Sequence, residues 1–240
     1  MMDLSAKIAD WIKKQVRDAG KKGIIVGLSG GIDSSVVAAL SKRAVGDNVR
    51  GLILPCKSNS EDVELAYKVS KRFNIKTEEV VLDKLFDQMV NVYPAARDLA
   101  KSNLKPRLRM TTLYYFANAL DYLVAGTGNR TELVIGYFTK YGDGGVDILP
   151  IGGLLKSGVR KLAKKLDVPG EIIARPPSAG LWHGQTDEGE IGITYDELDR
   201  TINAINNGKT SDIDKEILAK VNGMIKNSEH KRCAVPIFEE

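Results

Sequence analysis

Cysteine is scarce in this sequence. Cys56 and Cys233 are the only two in 240 residues, far apart and outside any CxxC spacing. That excludes a disulfide scaffold and speaks against a zinc site. Long apolar runs are also missing. None approaches the ~20 residues of a membrane span. The opening Met1-Met2-Asp3-Leu4-Ser5-Ala6-Lys7 leads into an amphipathic pattern rather than a signal-peptide core, so the chain is expected in the cytoplasm. No charge of one sign dominates: 35 basic against 31 acidic residues leave +4, which fits an anionic small molecule as well as RNA. Internal repeats and low-complexity tracts are absent. What is present is an ordinary globular composition, 43% hydrophobic and 28% charged, in a length that one α/β domain fills.

The apolar pattern alternates between two periods. Leu4, Ile8, Trp11, Ile12 and Val16 recur at helical spacing and Gly20 follows as a stop. Trp11 is expected to pack in the core. The run 24–28 suits a strand buried on both faces, followed by a loop from Ser29 and a helix over 34–45. A second strand is expected over 49–54, a helix over 61–73 with Ser60 as its N-cap, and a weaker, more polar strand over 79–82. One or two helices are expected over 93–121, interrupted near Pro106, and a strand over 122–125. This order predicts a doubly wound parallel sheet with helices on both faces. Ligands in such sheets sit beyond the C-terminal strand ends, where Ser29 and Gly126 both begin loops. Further on, a helix runs from Leu155 to Leu166, segment 175–192 has no periodicity, Thr194-Tyr195-Asp196-Glu197 has capping-box spacing, and a last helix covers 213–226.

The loop Gly27-Leu28-Ser29-Gly30-Gly31-Ile32-Asp33-Ser34-Ser35 carries the strongest chemical signal. Gly30 and Gly31 let backbone amides approach a phosphate, the Ser29, Ser34 and Ser35 hydroxyls add donors, and the next helix aims its positive end at the same place. Asp33 repels phosphate unless a cation stands between them, which implies magnesium. A Walker A loop would need a lysine that is not here, and a G-x-G-x-x-G fingerprint is absent. Gly27-Leu28-Ser29-Gly30-Gly31 also matches the G-x-S-x-G elbow of serine hydrolases, with His183 and His230 as the only available bases. A plain Gly-Ser turn is the structural alternative.

The longer string Ser-Gly-Gly-x-Asp-Ser resembles the signature of the N-type ATP pyrophosphatases, which split ATP into AMP and pyrophosphate while adenylating an acid or carbonyl. Five further strings resemble the NAD synthetase family and span nearly the whole chain: 103–110 (NLKPRLRM), 126–132 (GTGNRTE), 136–147 (GYFTKYGDGGVD), 177–181 (PSAGL) and 230–232 (HKR). The resemblance implies an adenine-nucleotide α-hydrolase-like fold. It implies that Gly27, Leu28, Ser29, Gly30, Gly31, Ile32, Asp33 and Ser34 line the ATP phosphates, and that Thr127, Lys156 and Ser178 also contact ATP. Asp33 and Glu132 would hold magnesium. Arg107, Lys140, Asp147, His230 and Lys231 would contact nicotinic acid adenine dinucleotide (deamido-NAD). Plain alternatives stand beside several of these: a solvated charge for Arg107, Lys156 or His230, and a chain-turning role for Asp143 or Asp147.

The implied reaction needs these groups. Ammonia cannot displace oxide from a carboxylate, so the nicotinate carboxylate first attacks the α-phosphate of ATP. Ser29, Lys156, the loop amides and magnesium stabilise the departing pyrophosphate. Ammonia then converts the acyl-adenylate to the amide. Asp143 is the candidate base for ammonium, and segments 137–147 and 175–192 are candidate lids. No glutaminase domain is expected, so free ammonia is the expected donor, and the relatives' homodimer, with the substrate site at its interface, is the expected assembly. Trp11 is a candidate for that interface, with the core as its expected place. A tRNA-modifying ligase and a non-catalytic ATP sensor remain the rival readings, although no basic RNA-binding stripe is present.

Overall fold

The structure is a computed structural model that describes residues 3–178, 180 and 184–239. Helix α1 (Leu4–Asp18) leads into strand β1 (Gly23–Gly27) and helix α2 (Ile32–Val45). A 3-10 turn precedes β2 (Val49–Ile53), then α3 (Ser60–Arg72), β3 (Lys76–Glu79), α4 (Asp83–Val92), α5 (Asp98–Ser102), α6 (Leu104–Leu120) and β4 (Tyr122–Ala125). The remainder is helical: α7 (Arg130–Ile135), α8 (Lys156–Lys165), α9 (Gly170–Ala174), α10 (Asp187–Ile191), α11 (Tyr195–Asn206), α12 (Lys215–Asn227) and α13 (Glu229–Arg232).

The four strands are parallel in the order β3-β2-β1-β4. β1 is central and its residues alternate between two cores. Ile24 and Val26 pack with Ile12 of α1, Val36 and Leu40 of α2, Val69 of α3, Leu162 of α8 and Ile172 of α9. Ile25 faces the other way, with Leu52 and Val124, onto Leu108 and Ala117 of α6 and Phe86 and Met89 of α4. Ile24, Ile25 and Val26 are wholly buried, each worth roughly 1.5–3 kcal/mol in transfer free energy. This is the expected doubly wound sheet with both faces covered. Chain order reverses between β1 and β4, so the switch point lies between the Ser29 and Gly126 loops. A third cluster, Ile135, Ile193, Tyr195, Leu198, Ile202 and Val221, joins α7, α11 and α12 beside the sheet.

Several local expectations differ from the structure. The third strand is Lys76–Glu79, not 79–82. It is a charged, largely exposed edge that pairs with β2 by backbone bonds alone, so it carries no apolar signal. Residues 80–82 follow beside the chain after β2, with the Val80 and Leu82 amides donating to Ile53 and Pro55 carbonyls at 2.9 and 2.7 Å. Helix α6 runs straight through Pro106, which sits in the first turn where no amide proton is needed. Asn59, not Ser60, caps α3 through its side-chain oxygen and the Glu61 amide at 3.2 Å. Trp11 faces outward and is 40% exposed, because the apolar stripe of α1 is carried by Ala9, Ile12 and Val16. The capping box at Thr194 and Glu197 is present.

Candidate active site

The Ser29 loop is shaped by its own small residues. Gly30 has φ +79°, and a Cβ there would stand 2.4 Å from the Asp62 carbonyl oxygen, so only glycine fits. The Ser29 and Ser34 hydroxyls lie 3.0 Å apart. The Gly31 amide donates to Ser29 Oγ at 3.2 Å, while the Ser34 and Ser35 hydroxyls donate to the Gly31 carbonyl at 3.0 and 2.8 Å. Gly31 is the N-cap of α2, whose first turn lacks any side-chain cap. Its free amides and positive dipole end therefore face the loop, which is the arrangement that binds phosphate.

The loop after β4 faces it. Asn129 is fully buried and caps α7 in a capping box with Glu132. Its side-chain amide donates to Asp33 Oδ1 at 2.9 Å. Lys156, the first residue of α8, places its ammonium 2.6 Å from Asp33 Oδ2 and 3.1 Å from Glu132 Oε1. The start of α8 is pinned by the Lys156 amide donating to Thr131 Oγ1 at 3.0 Å and the Ser157 amide donating to Asp199 Oδ2 at 2.8 Å. The Lys156 side chain is 2% exposed, whereas Asp33 and Glu132 keep 17% and 16%, so both carboxylates retain a wet side.

Burial disfavours charge on Lys156 and on Glu132, and their neighbours act on each in turn. Burial alone would lower Lys156; Asp33 and Glu132 outweigh it and raise Lys156 above the usual lysine range. Burial pushes Glu132 up to about 7, opposed by Lys156 and assisted by the negative charge of Asp33. Two hard-oxygen carboxylates already sharing one cation are a donor set suited to magnesium. Among the described residues no group of three or more His, Cys, Asp or Glu side chains could hold a metal ion. An ion at Asp33 and Glu132 would complete its shell with phosphate oxygens and water.

The residues expected to meet the acid substrate form a second group. The Arg107 guanidinium donates to the Lys140 carbonyl at 3.4 Å, and Lys140 Nζ donates to the His230 carbonyl at 2.6 Å. Lys231 Nζ donates to the Gly136 and Phe138 carbonyls at 2.8 and 2.9 Å, so α13 clasps segment 136–140. Asp143 accepts the Thr139 amide at 2.8 Å. It keeps an exposed face, but the protein crowded around its carboxyl raises its pKa against the pull of Lys231 and Arg109. Asp147 stands apart. Its carboxylate accepts the Val124 amide at 2.7 Å and the Tyr114 hydroxyl at 2.9 Å, which ties segment 147–148 to β4 through the bridge Ala125–Ile148.

Thr127 is half-buried two residues before Asn129, in the same loop. Ser178 Oγ accepts the Gly180 amide at 3.1 Å. Its segment is tethered near the loop by Arg175, whose Nη1 lies 2.6 Å from Asp62 Oδ1. His183 lies outside the described residues, and His230 is exposed on α13 with its carbonyl engaged by Lys140. Among the described residues the Ser29 hydroxyl meets that of Ser34.

Sequence reasoning passed over Asn129, Tyr195, Asp187 and Arg109. Tyr195 is 1% exposed; its ring lies 4.7 Å from Lys156 Nζ and its hydroxyl reaches Glu132 and Asp187 at 3.2 and 2.9 Å. Arg109 donates to the Leu54 carbonyl and Ser58 Oγ, both at 3.0 Å, just beyond β2. Asn129 alone had a signal: it stands three residues before Glu132, the spacing of a capping box.

A parallel sheet with a glycine-serine loop, a helix N-terminus and a carboxylate pair at its switch point defines an α/β nucleotide-binding domain. Residues 4–235 match the NAD synthase family, and the chain belongs to that family. It is 48% identical over 231 residues to an NH(3)-dependent NAD(+) synthetase of Carboxydothermus hydrogenoformans, covering 94% of this chain and 93% of that protein. Among solved structures, an NMN synthetase from Francisella tularensis superposes with TM-score 0.90 at 37% identity, covering 98% of both chains. An NH3-dependent NAD synthetase from Campylobacter jejuni subsp. jejuni, in complex with nitrate, superposes with TM-score 0.87 at 28% identity over 99% of this chain and 100% of that one.

Proposed function

We propose that this chain amidates nicotinic acid adenine dinucleotide with ammonia, consuming ATP and yielding NAD, AMP and pyrophosphate. The observation that carries the reading is the ammonium of Lys156 held between Asp33 and Glu132, directly beneath the phosphate loop at the switch point. The substrate carboxylate attacks the α-phosphorus, the bond to the β-phosphate bridging oxygen breaks, and pyrophosphate leaves. Gly30, Gly31 and the first amides of α2 receive the charge that develops, with Ser29 and Ser34. Gly27, Leu28 and Ile32 shape that loop. Lys156 is poised to turn from the carboxylates to the phosphates. Magnesium held by Asp33 and Glu132 would add charge neutralisation there. Thr127 and Ser178 are assigned to the nucleotide, and Arg107, Lys140, Asp147, His230 and Lys231 to the acid substrate.

Ammonia then attacks the acyl-adenylate carbonyl and AMP departs. Asp143 takes the proton from ammonium; its raised carboxyl pKa narrows the gap to that acid. Free ammonia is the donor, as in the names of the relatives, and glutamine is expected not to replace it. The assembly is a homodimer in which the substrate site is shared. Among the described residues no helix is long and apolar enough to cross a membrane, and we place the enzyme in the cytoplasm.

The likeness to the Francisella NMN synthetase favours a second reading, in which the acid is the mononucleotide. Both acids should be offered separately with ATP, magnesium and ammonium, and AMP and amide product measured. NAD formation with the dinucleotide at the higher kcat/KM supports the first reading. Preference for nicotinic acid mononucleotide supports the second, and AMP without either amide overturns both.

A further inference from the structure

The helix that carries Lys156 begins without a cap of its own. Leu155 stands at the N-cap position of α8, and its side chain offers no acceptor. The first amides of a helix have no partner inside it. Here two of them are served by other helices. The Lys156 amide donates to Thr131 Oγ1 of α7 at 3.0 Å, and the Ser157 amide donates to Asp199 Oδ2 of α11 at 2.8 Å. The Thr131 hydroxyl in turn donates to Asp199 Oδ1. Thr131, Asp199 and Lys156 are all buried, so these bonds are shielded from bulk water.

The directions of these bonds are forced. A backbone N–H can only donate, so Thr131 Oγ1 accepts from Lys156 and sends its own proton to Asp199. Asp199 then accepts on one oxygen from Thr131 and on the other from Ser157. A carboxylate can do this, and an amide of the same shape cannot. Asparagine at this position would turn its NH2 group toward the Ser157 amide or toward the Thr131 hydroxyl, and in either case a buried donor loses its acceptor. Tyr195 lies one turn before Asp199 on α11, on the same helix face. Its ring is 4.7 Å from Lys156 Nζ. Helix α11 therefore meets Lys156 twice: Asp199 at the backbone from which the side chain springs, and Tyr195 at the ammonium.

We propose that Asp199 is a positioning residue of the adenylation site. Through Thr131 and the first turn of α8 it fixes the root of the Lys156 side chain, so that the ammonium is delivered to the carboxylate pair and, once ATP is bound, to its phosphates; that last contact rests on the proposed function. The ammonium ends 2.6 Å from Asp33 Oδ2 at the tip of a long flexible stem. A small rotation of the first turn is magnified along that stem into a misplaced charge. Asp199 is buried with both oxygens engaged, so it acts through Lys156 and not on a reacting atom.

The test is the affinity of the α,β-methylene analogue of ATP, by calorimetry at saturating magnesium, in the wild type, Asp199→Asn, Lys156→Met and the double variant. It needs no turnover. Lys156→Met should weaken the analogue by about 10-fold or more, the worth of one charge-assisted hydrogen bond. Asp199→Asn should weaken it as well, although by charge alone the loss of a buried carboxylate would tighten a polyphosphate. The double variant should bind within about twofold of Lys156→Met, because both changes act on one contact. Thr131→Val should reproduce the loss, and Thr131→Ser, which keeps the hydroxyl, should restore most of it. Unchanged or tighter binding in Asp199→Asn, or a double variant that multiplies the two single losses, overturns the positioning role. Lys156→Met without effect overturns the contact assigned to Lys156 and the positioning role with it. Thermal melts run beside each titration. If Asp199→Asn does not fold, the Thr131 pair carries the test, and equal affinity in Thr131→Val and Thr131→Ser overturns the role. The expected pattern of affinities without NAD formation would overturn the proposed reaction and leave Asp199 in its place.

Discussion

The side-chain amide of Asn129 donates to Asp33 Oδ1 at 2.9 Å, across 96 residues of sequence and from one side of the switch point to the other. The same residue caps α7, so one side chain sets both the helix that presents Glu132 and the carboxylate opposite it. Asn129→Ala should lose about 1 kcal/mol of stability as an N-cap, and kcat/KM should fall by ~100-fold through a misplaced Asp33. Denaturant melts and steady-state rates measure the two separately. Wild-type kcat/KM in a destabilised variant would confine Asn129 to the cap.

Lys156→Met leaves Asp33 and Glu132 facing each other without a cation. Removing one partner of a buried charge pair costs roughly 3–5 kcal/mol, and the loss should be largely repaired by magnesium. The melting temperature of the variant should therefore rise more steeply with magnesium than that of the wild type, while its turnover stays low. A magnesium response equal to that of the wild type would separate Lys156 from the proposed metal site.

Glu132 titrates at a higher pH in the folded chain than in the unfolded one, about 7 against 4.5. The folded state holds this proton more tightly. Its contribution to stability is thus full below about pH 4.5 and is lost as pH rises through about 7. In chelator, urea unfolding should give a stability that declines across this window, and Glu132→Gln should flatten that decline. An identical slope in both proteins would remove Glu132 as its source.

Asp143→Asn keeps the shape of the side chain and the possibility of a bond to the Thr139 amide through its carbonyl oxygen. It removes the proposed base. At limiting ammonium the rate should fall by ~100-fold, with KM for ATP unchanged and the loss smaller as pH rises and free ammonia becomes plentiful. Full rate at limiting ammonium would leave Asp143 as a turn residue only.

How much was legible in the sequence depends on the range of the interaction. Gly30, Gly31 and Asp33 sit within one loop whose chemistry is local, and the strand before it is buried on both faces, so its apolar run is unbroken. The Thr194–Glu197 box is local as well. Helix α4 went unread, and α6 was expected to break at Pro106, since a proline in the first turn leaves the same mark in sequence as one that ends a helix. Tyr195 and Asp187 read as part of a capped helix and of an aperiodic loop. Their roles come from contacts with Glu132 and Tyr137, 63 and 50 residues away. Lys156 is one lysine of several on α8, and only its place at the first turn, pinned by Thr131 and Asp199, distinguishes it.

The two outer strands of the sheet are protected in different ways. β3 carries charge along its length, which discourages a second chain from pairing with it. β4 is apolar, and its outer side is occupied instead by residues 147–148, held by the Asp147 carboxylate. That stretch closes the string assigned to the acid substrate. A library that loosens 136–147 to accept a different acid will therefore also uncover a sticky edge, and many of its members should be lost to aggregation before their catalysis can be scored. Selection for soluble expression, applied before selection for activity, is the order in which that segment can be redesigned.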